Sequence, residues 1–127
     1  MSEQVEAVAQ KAYDTLTVSL QSGEWAEFFD LFGPEVDVIL PAPVSSGRFT
    51  GTEGRAQLVE TFSRFTPGLV RFDTVELIGK TVGADRVVFE DRATGEAFGE
   101  PYDARHCLHF IVRDGKVVGF HEYNRPV

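Results

Sequence analysis

The apolar residues of this chain change their period once, near Gly68, and that change sets the order in which its elements can form. Before it, Val5, Val8, Ala9, Ala12, Leu16 and Leu20 recur at three- and four-residue steps, the spacing that lines one face of an α-helix. After it, apolar and polar residues alternate, the period of a half-buried strand. Helices first and a run of antiparallel strands afterwards is an α+β order. The 127 residues fit one domain, spanning residues 1–127, and a chain of this size buries roughly two-thirds of its unfolded surface without help.

Element by element, Ser2 can cap the first helix and Gly23 can end it. A short second helix carries Trp25, Phe28, Phe29 and Phe32 on one side and stops at Gly33-Pro34. Residues 36–40 read as a short strand ended by Pro41, and residues 41–47, with two Pro, two Ser and a Gly, as a loop. Thr52 can cap a third helix bearing Leu58, Val59, Phe62 and Phe65, closed by Thr66-Pro67-Gly68. Residues 70–78, 86–93, 102–112 and 116–123 then read as strands. The apolar phase slips between Phe72 and Val75, which predicts a bulge. Three helices on one face of a strongly curved, mainly antiparallel sheet would make a cone-shaped half-barrel with an apolar pocket. The eleven Phe suit such a lining.

Arg113-Asp114-Gly115-Lys116 is the sharpest local signal. Asp-Gly between alternating runs favours a two-residue turn in which both central residues take positive φ. Counting outward from that turn, Val112 opposes Val117, His109 opposes Phe120, Cys107 opposes Glu122 and Arg105 opposes Asn124. One face then carries Arg105, Cys107, His109 and Ile111 with Val118, Phe120, Glu122 and Asn124. The other carries His106, Leu108, Phe110 and Val112 with Val117, Gly119, His121 and Tyr123. Glu122 between a guanidinium and an imidazole, among Phe and Ile, is a candidate proton-transfer group. A structural salt bridge or a polar dimer contact accounts for the same trio.

Composition removes several functions. The net charge is −8, from 20 acidic and 12 basic side chains, with no cluster of Lys or Arg, so neither nucleic acid nor a membrane surface is an expected partner. The acidic start Met1-Ser2-Glu3-Gln4 lacks a signal-peptide pattern and no apolar run approaches a membrane span, which makes the cytoplasm the expected place. Cys107 is the only cysteine and reads as a small buried apolar group rather than a catalytic thiol. His106 and His121 share a face in the counted register, but no carboxylate or Cys completes a metal site with them. Glu90 and Asp91 are neighbours on one strand, so only one can face a cavity. Tyr13 reads as core or as a hydrogen-bond donor to substrate.

The tail, from Tyr102-Asp103-Ala104-Arg105 through Asp114-Gly115-Lys116-Val117 to Glu122-Tyr123-Asn124-Arg125-Pro126, resembles the SnoaL-like, ketosteroid-isomerase-like superfamily with its nuclear-transport-factor-like fold. Gly51-Thr52-Glu53 after a Pro-rich loop resembles it too. Within the superfamily the tail is similar to the phenazine biosynthesis proteins, and that resemblance gives Glu122 the role of pocket acid/base. Their partner His on the third helix is unmatched, since Leu58 stands near that position. Leu40-Pro41 stands where the ketosteroid isomerases carry Asp-Pro. Asp91, Arg105 and Glu122 imitate the Arg-centred set of the limonene-epoxide hydrolases only loosely, without the Arg-x-Asp spacing.

The resemblance implies a cofactor-independent isomerase or lyase acting by acid/base catalysis on a small hydrophobic carbonyl or polyketide-like metabolite. On the hairpin face counted above, Glu122 would move the proton and His109 and Arg105 would tune it or stabilise a developing oxyanion. Tyr13, Trp25, Phe28, Phe32, Leu40, Phe62, Cys107 and Phe120 would line the pocket, and the protein would form a homodimer. The alternatives are a non-catalytic binder of an apolar molecule and a dimerisation module whose outer sheet face, with Leu108, Phe110 and Val112, packs on a second copy.

Overall fold

The computed structural model describes residues 2–41 and 46–127. The Ser2 side chain, expected as a cap, and residues 42–45 of the expected loop lie outside what is described. In chain order the elements are α1 (Ser2–Ser22), α2 (Ala26–Asp30), β1 (Phe32–Leu40), β2 (Gly47–Phe49), α3 (Gly51–Ser63), β3 (Val70–Val82), β4 (Arg86–Ala97), β5 (Glu100–Arg113) and β6 (Lys116–Pro126). The strands form a six-stranded sheet in the order β2-β1-β6-β5-β4-β3. It is antiparallel throughout except where β1 runs parallel to β6. The sheet is curved and unclosed, and the helices cover one face of it, the α+β order read from the periodicity.

The strands β3, β4, β5 and β6 run longer than expected, and three further boundaries differ for identifiable reasons. Phe32 belongs to β1 rather than to the second helix: the chain turns extended at once, pairs Phe32 with Val117, and Leu31 O accepts from Val117 N–H. The helix already ends at Asp30, with Leu31 as its C-cap, so the expected stop at Gly33-Pro34 falls inside the strand that follows. The third helix begins two residues early, with Thr50 rather than Thr52 at its N-cap and no side-chain bond there. Gly47–Phe49, read as loop and loop edge, pairs with β1 as a three-residue strand.

α1 lays its stripe across β3, β4, β5 and β6, and α3 covers β1. Ala9 and Ala12 are fully buried at that contact and let the helix approach closely, while Val5, Tyr13 and Leu16 flank them. The sheet contributes Val36, Val38, Val87, Phe89, Leu108, Phe110, Val112, Val117 and Phe120 to one core. Leu108, Phe110 and Val112 are therefore inward residues, exposed by only 4%, 0% and 5%. The expected dimer contact through them is excluded, because α1 already covers that face.

The hairpin explains the inversion. Asp114 and Gly115 take φ of 52° and 76°, and Arg113–Lys116 and Val112–Val117 pair as the two-residue turn requires. Beyond them Ile111 pairs with Gly119, leaving Val118 as an extra residue on β6. From there the partners are Phe110–Phe120, His109–His121, Leu108–Glu122 and Cys107–Tyr123. One bulged residue has exchanged the face of every β5 partner beyond it. The bulge expected after Phe72 is present on β3, and a second follows Leu77.

Candidate functional site

Between α1, α3 and the concave face of the sheet lies a cavity of about 780 Å³. Its wall is largely apolar, from Leu16 and Leu20 on α1, Phe62 on α3, Val70, Phe72 and Val75 on β3 and Leu108 on β5. Against this wall stands a connected set of polar side chains from α1, β4, β5 and β6. Asp91 and His106 are directly opposed across β4 and β5, so both point inward, and His106 Nδ1 lies 2.7 Å from Asp91 Oδ1. Tyr13 Oη reaches from α1 and donates to Asp91 Oδ2 at 2.6 Å. Tyr102 Oη lies 2.6 Å from His106 Nε2, and Phe72 stacks on Tyr102 with ring centroids 5.3 Å apart. Asn124 is directly opposite His106, and its Nδ2 donates to Glu122 Oε2 at 2.8 Å. Glu122, two residues back on β6, is thus a diagonal neighbour of His106 on the same face.

Burial and charge act in opposite senses here. Burial pushes the Glu122 carboxyl above its ordinary range; the His106 charge and the Asn124 bond oppose this, and the Asp91 charge adds to it. Glu122 itself is half-buried and lines the cavity. For His106 burial is the largest single influence and disfavours the cation. The Asp91 bond and the charges of Glu122 and Asp91 together outweigh it, and the net displacement is upward. Tyr13 is held protonated well above the usual phenol range by burial, then by its bond to Asp91 and the Asp91 and Asp14 charges. Tyr102 is held likewise by burial and the charges of Glu122 and Asp91.

The structure splits the expected trio. Glu122 lines the cavity, whereas His109 and Arg105 stand on the convex face. There His109 Nδ1 is 3.5 Å from Arg86 Nη1, its ring lies 5.9 Å from that of His121, and Arg105 is exposed. The pairing of His106 with His121 on one face is corrected by the same bulge, and so is the epoxide-hydrolase-like set, since Arg105 is across the sheet from Asp91 and Glu122. Of the expected lining residues, Tyr13, Leu40 and Phe62 reach the cavity. Trp25, Phe28, Phe32 and Phe120 are buried behind it in an aromatic cluster. Cys107 faces a shallow outer groove with Glu90 and Tyr123, and burial and the Glu90 charge push its thiol upward.

Sequence reasoning missed Asp91, Tyr102, His106 and Asn124 as a set. Asp91 is the member of the Glu90-Asp91 pair that sees the cavity, and His106 was assigned outward by the unbulged count. Gly119 inside a strand pattern was the available signal, since an isolated strand glycine marks a bulge or a close approach.

A SnoaL-like domain model matches residues 9–120. The chain belongs to the SnoaL-like family. Among solved structures, this SnoaL-like chain is 25% identical to an NTF2-like protein from Anabaena variabilis ATCC 29413, with all of this chain and 93% of that one covered at a TM-score of 0.84. It is 18% identical to a provisionally named isomerase from Bacillus subtilis, covering 94% and 88% at 0.73. It is 19% identical to a provisionally named SnoaL-like polyketide cyclase from Jannaschia sp. CCS1, covering 92% and 87% at 0.64. At those identities the last two speak for the fold, the cone-shaped NTF2-like arrangement. No curated protein matches this SnoaL-like chain.

Proposed function

We propose that the chain is a cofactor-independent, isomerase-type enzyme that moves a proton on a small apolar carbonyl compound held in the cavity. The observation that carries this reading is a carboxyl group, Glu122, raised by burial and standing in an apolar cavity diagonal to the His106–Asp91 pair. A carboxylate in such surroundings is a stronger base than in water, and its conjugate acid holds the proton to higher pH than an ordinary carboxyl does. Glu122 takes a proton from the carbon beside the carbonyl, and the C–H pair becomes the enolate double bond as the carbonyl π pair moves to oxygen. Where a C=C stands beside that carbon, the enolate is a dienolate; Glu122 then returns the proton at its far, γ carbon as the double bond moves into conjugation with the carbonyl, so that no atom is gained or lost. The names of the isomerase and polyketide cyclase of the same fold agree with this class of chemistry.

The test is deuterium uptake by a panel of bicyclic and tricyclic ketones in D2O, read by mass spectrometry. The wild type exchanges faster than buffer. Glu122→Gln loses about 100- to 10,000-fold of that rate, the span of a general base, while melting no lower than the wild type because a buried charge has been removed. Wild-type rates equal to buffer across the panel, or an undiminished Glu122→Gln, sink the reading. A ketone retained in native mass spectra without exchange assigns the chain a binding role instead.

A further inference from the structure

We propose that Tyr102 supplies the hydrogen bond to the substrate's carbonyl oxygen, because its hydroxyl accepts from His106 and so keeps its own proton free for the cavity. The substrate part of this statement rests on the proton-transfer reading above; the direction of the Tyr102–His106 bond does not.

The argument is an inventory of protons. An ionised carboxylate only accepts. Asp91 Oδ2 takes the Tyr13 proton at 2.6 Å, and Asp91 Oδ1 is 2.7 Å from His106 Nδ1, so Nδ1 carries a hydrogen. One proton remains to be placed, in the 2.6 Å contact between His106 Nε2 and Tyr102 Oη. Either Tyr102 donates to a neutral ring, or an imidazolium donates to Tyr102. The groups facing the ring are Asp91 on β4, Glu122 and Asn124 on β6, Phe72 on β3, Tyr102 on its own strand, and Tyr13 of α1 behind Asp91. The charges among them that act on His106 are both carboxylates. That setting favours the cation, which makes Nε2 the donor. Tyr102 Oη then accepts, and its own hydrogen turns to the cavity that Tyr102 lines beside Glu122. A hydroxyl that accepts from a cation is polarised into a better donor, suited to the oxygen on which charge collects as Glu122 removes the proton.

The two directions predict opposite signs in one titration. In ¹⁵N-labelled protein, with the His106 signals identified by their loss in His106→Gln, both ring nitrogens of wild-type His106 are protonated at neutral pH. Tyr102→Phe removes an acceptor from the cation, so His106 holds its proton less tightly, by about tenfold, the worth of one charge-assisted bond. A neutral His106 in the wild type overturns the proposal without any variant, and so does tighter proton binding in Tyr102→Phe. In the ketone assay Tyr102→Phe loses about 100- to 1,000-fold in turnover, the effect of removing one such donor. Unchanged turnover removes the donor role even if the titration agrees. Absence of exchange in the wild type overturns the donor role together with the proton-transfer reading, and the titration still decides the bond's direction.

Discussion

Glu122 and His106 are both displaced upward and act on each other, so their protons come off as a coupled pair rather than as two independent groups. On the proposed mechanism, exchange needs Glu122 ionised and His106 charged. The rate therefore rises with pH above the ordinary carboxylate range and falls above the ordinary imidazole value. Asp91→Asn removes one of the two carboxylate charges that raise His106 and weakens its bond to a neutral one, so the falling limb moves to lower pH. An unmoved limb in the pH–rate profile of that variant refutes the assignment of His106. The same displacement bears on folding. A histidine whose folded value exceeds its unfolded one stabilises the native state in acid, and this contribution is lost as pH rises through the folded value. Melting temperature measured against pH reads that loss, and in Asp91→Asn the step shrinks.

At the scale of elements, the β5–β6 hairpin shows what the sequence holds and what it hides. Asp114-Gly115 states the turn through backbone sterics alone, and the structure obeys it as far as Val112–Val117. Alternation then says which residues share a strand face, but it cannot say that Val118 is skipped, because a bulge adds one residue without altering composition. The helix stripe of Val5, Ala9, Ala12 and Leu16 was legible for the converse reason: a helix keeps its own period whatever it packs against. Asp91 and His106 become neighbours only through long-range pairing, so no local pattern announces them. The bulge itself depends on a missing side chain. A Cβ at position 119 would lie 2.6 Å from Ile111 Cδ1 and 2.9 Å from Ile111 Cβ. Gly119→Ala is expected to destabilise by about 1–3 kcal/mol through overpacking, and pairing it with Ile111→Ala to recover most of that loss. Additive penalties in denaturant titrations of the double-mutant cycle would contradict the contact.

On the scale of the whole molecule, apolar burial and polar chemistry occupy different ends of one interior. The β1 side of the sheet, with α2 and α3, holds the aromatic cluster in which Phe28 is packed by Trp25, Phe32 and Phe62. The β4–β5–β6 side holds the polar set. Folding stability can thus rest on one end while the other keeps a buried charge at a cost to stability, the usual compromise at a site of function. Phe62 belongs to both ends, since it touches the cluster and lines the cavity.

Trp25 is the only tryptophan of the chain. Its indole N–H donates to Phe65 O at 2.8 Å, and its ring centroid stands 5.1 Å from that of Phe62. Phe62 and Phe65 line the cavity and Trp25 does not, so a guest there would reach Trp25 only through them. On the proposed reading, Trp25 is an optical gauge of cavity occupancy. Emission excited at the indole band should shift or quench saturably as a fitting ketone is added, and Phe62→Leu should mute the response while binding measured by calorimetry persists. Emission that stays constant through a calorimetrically complete titration would show the two rings to be uncoupled. With such a gauge, compounds can be ranked by occupancy before any turnover is known.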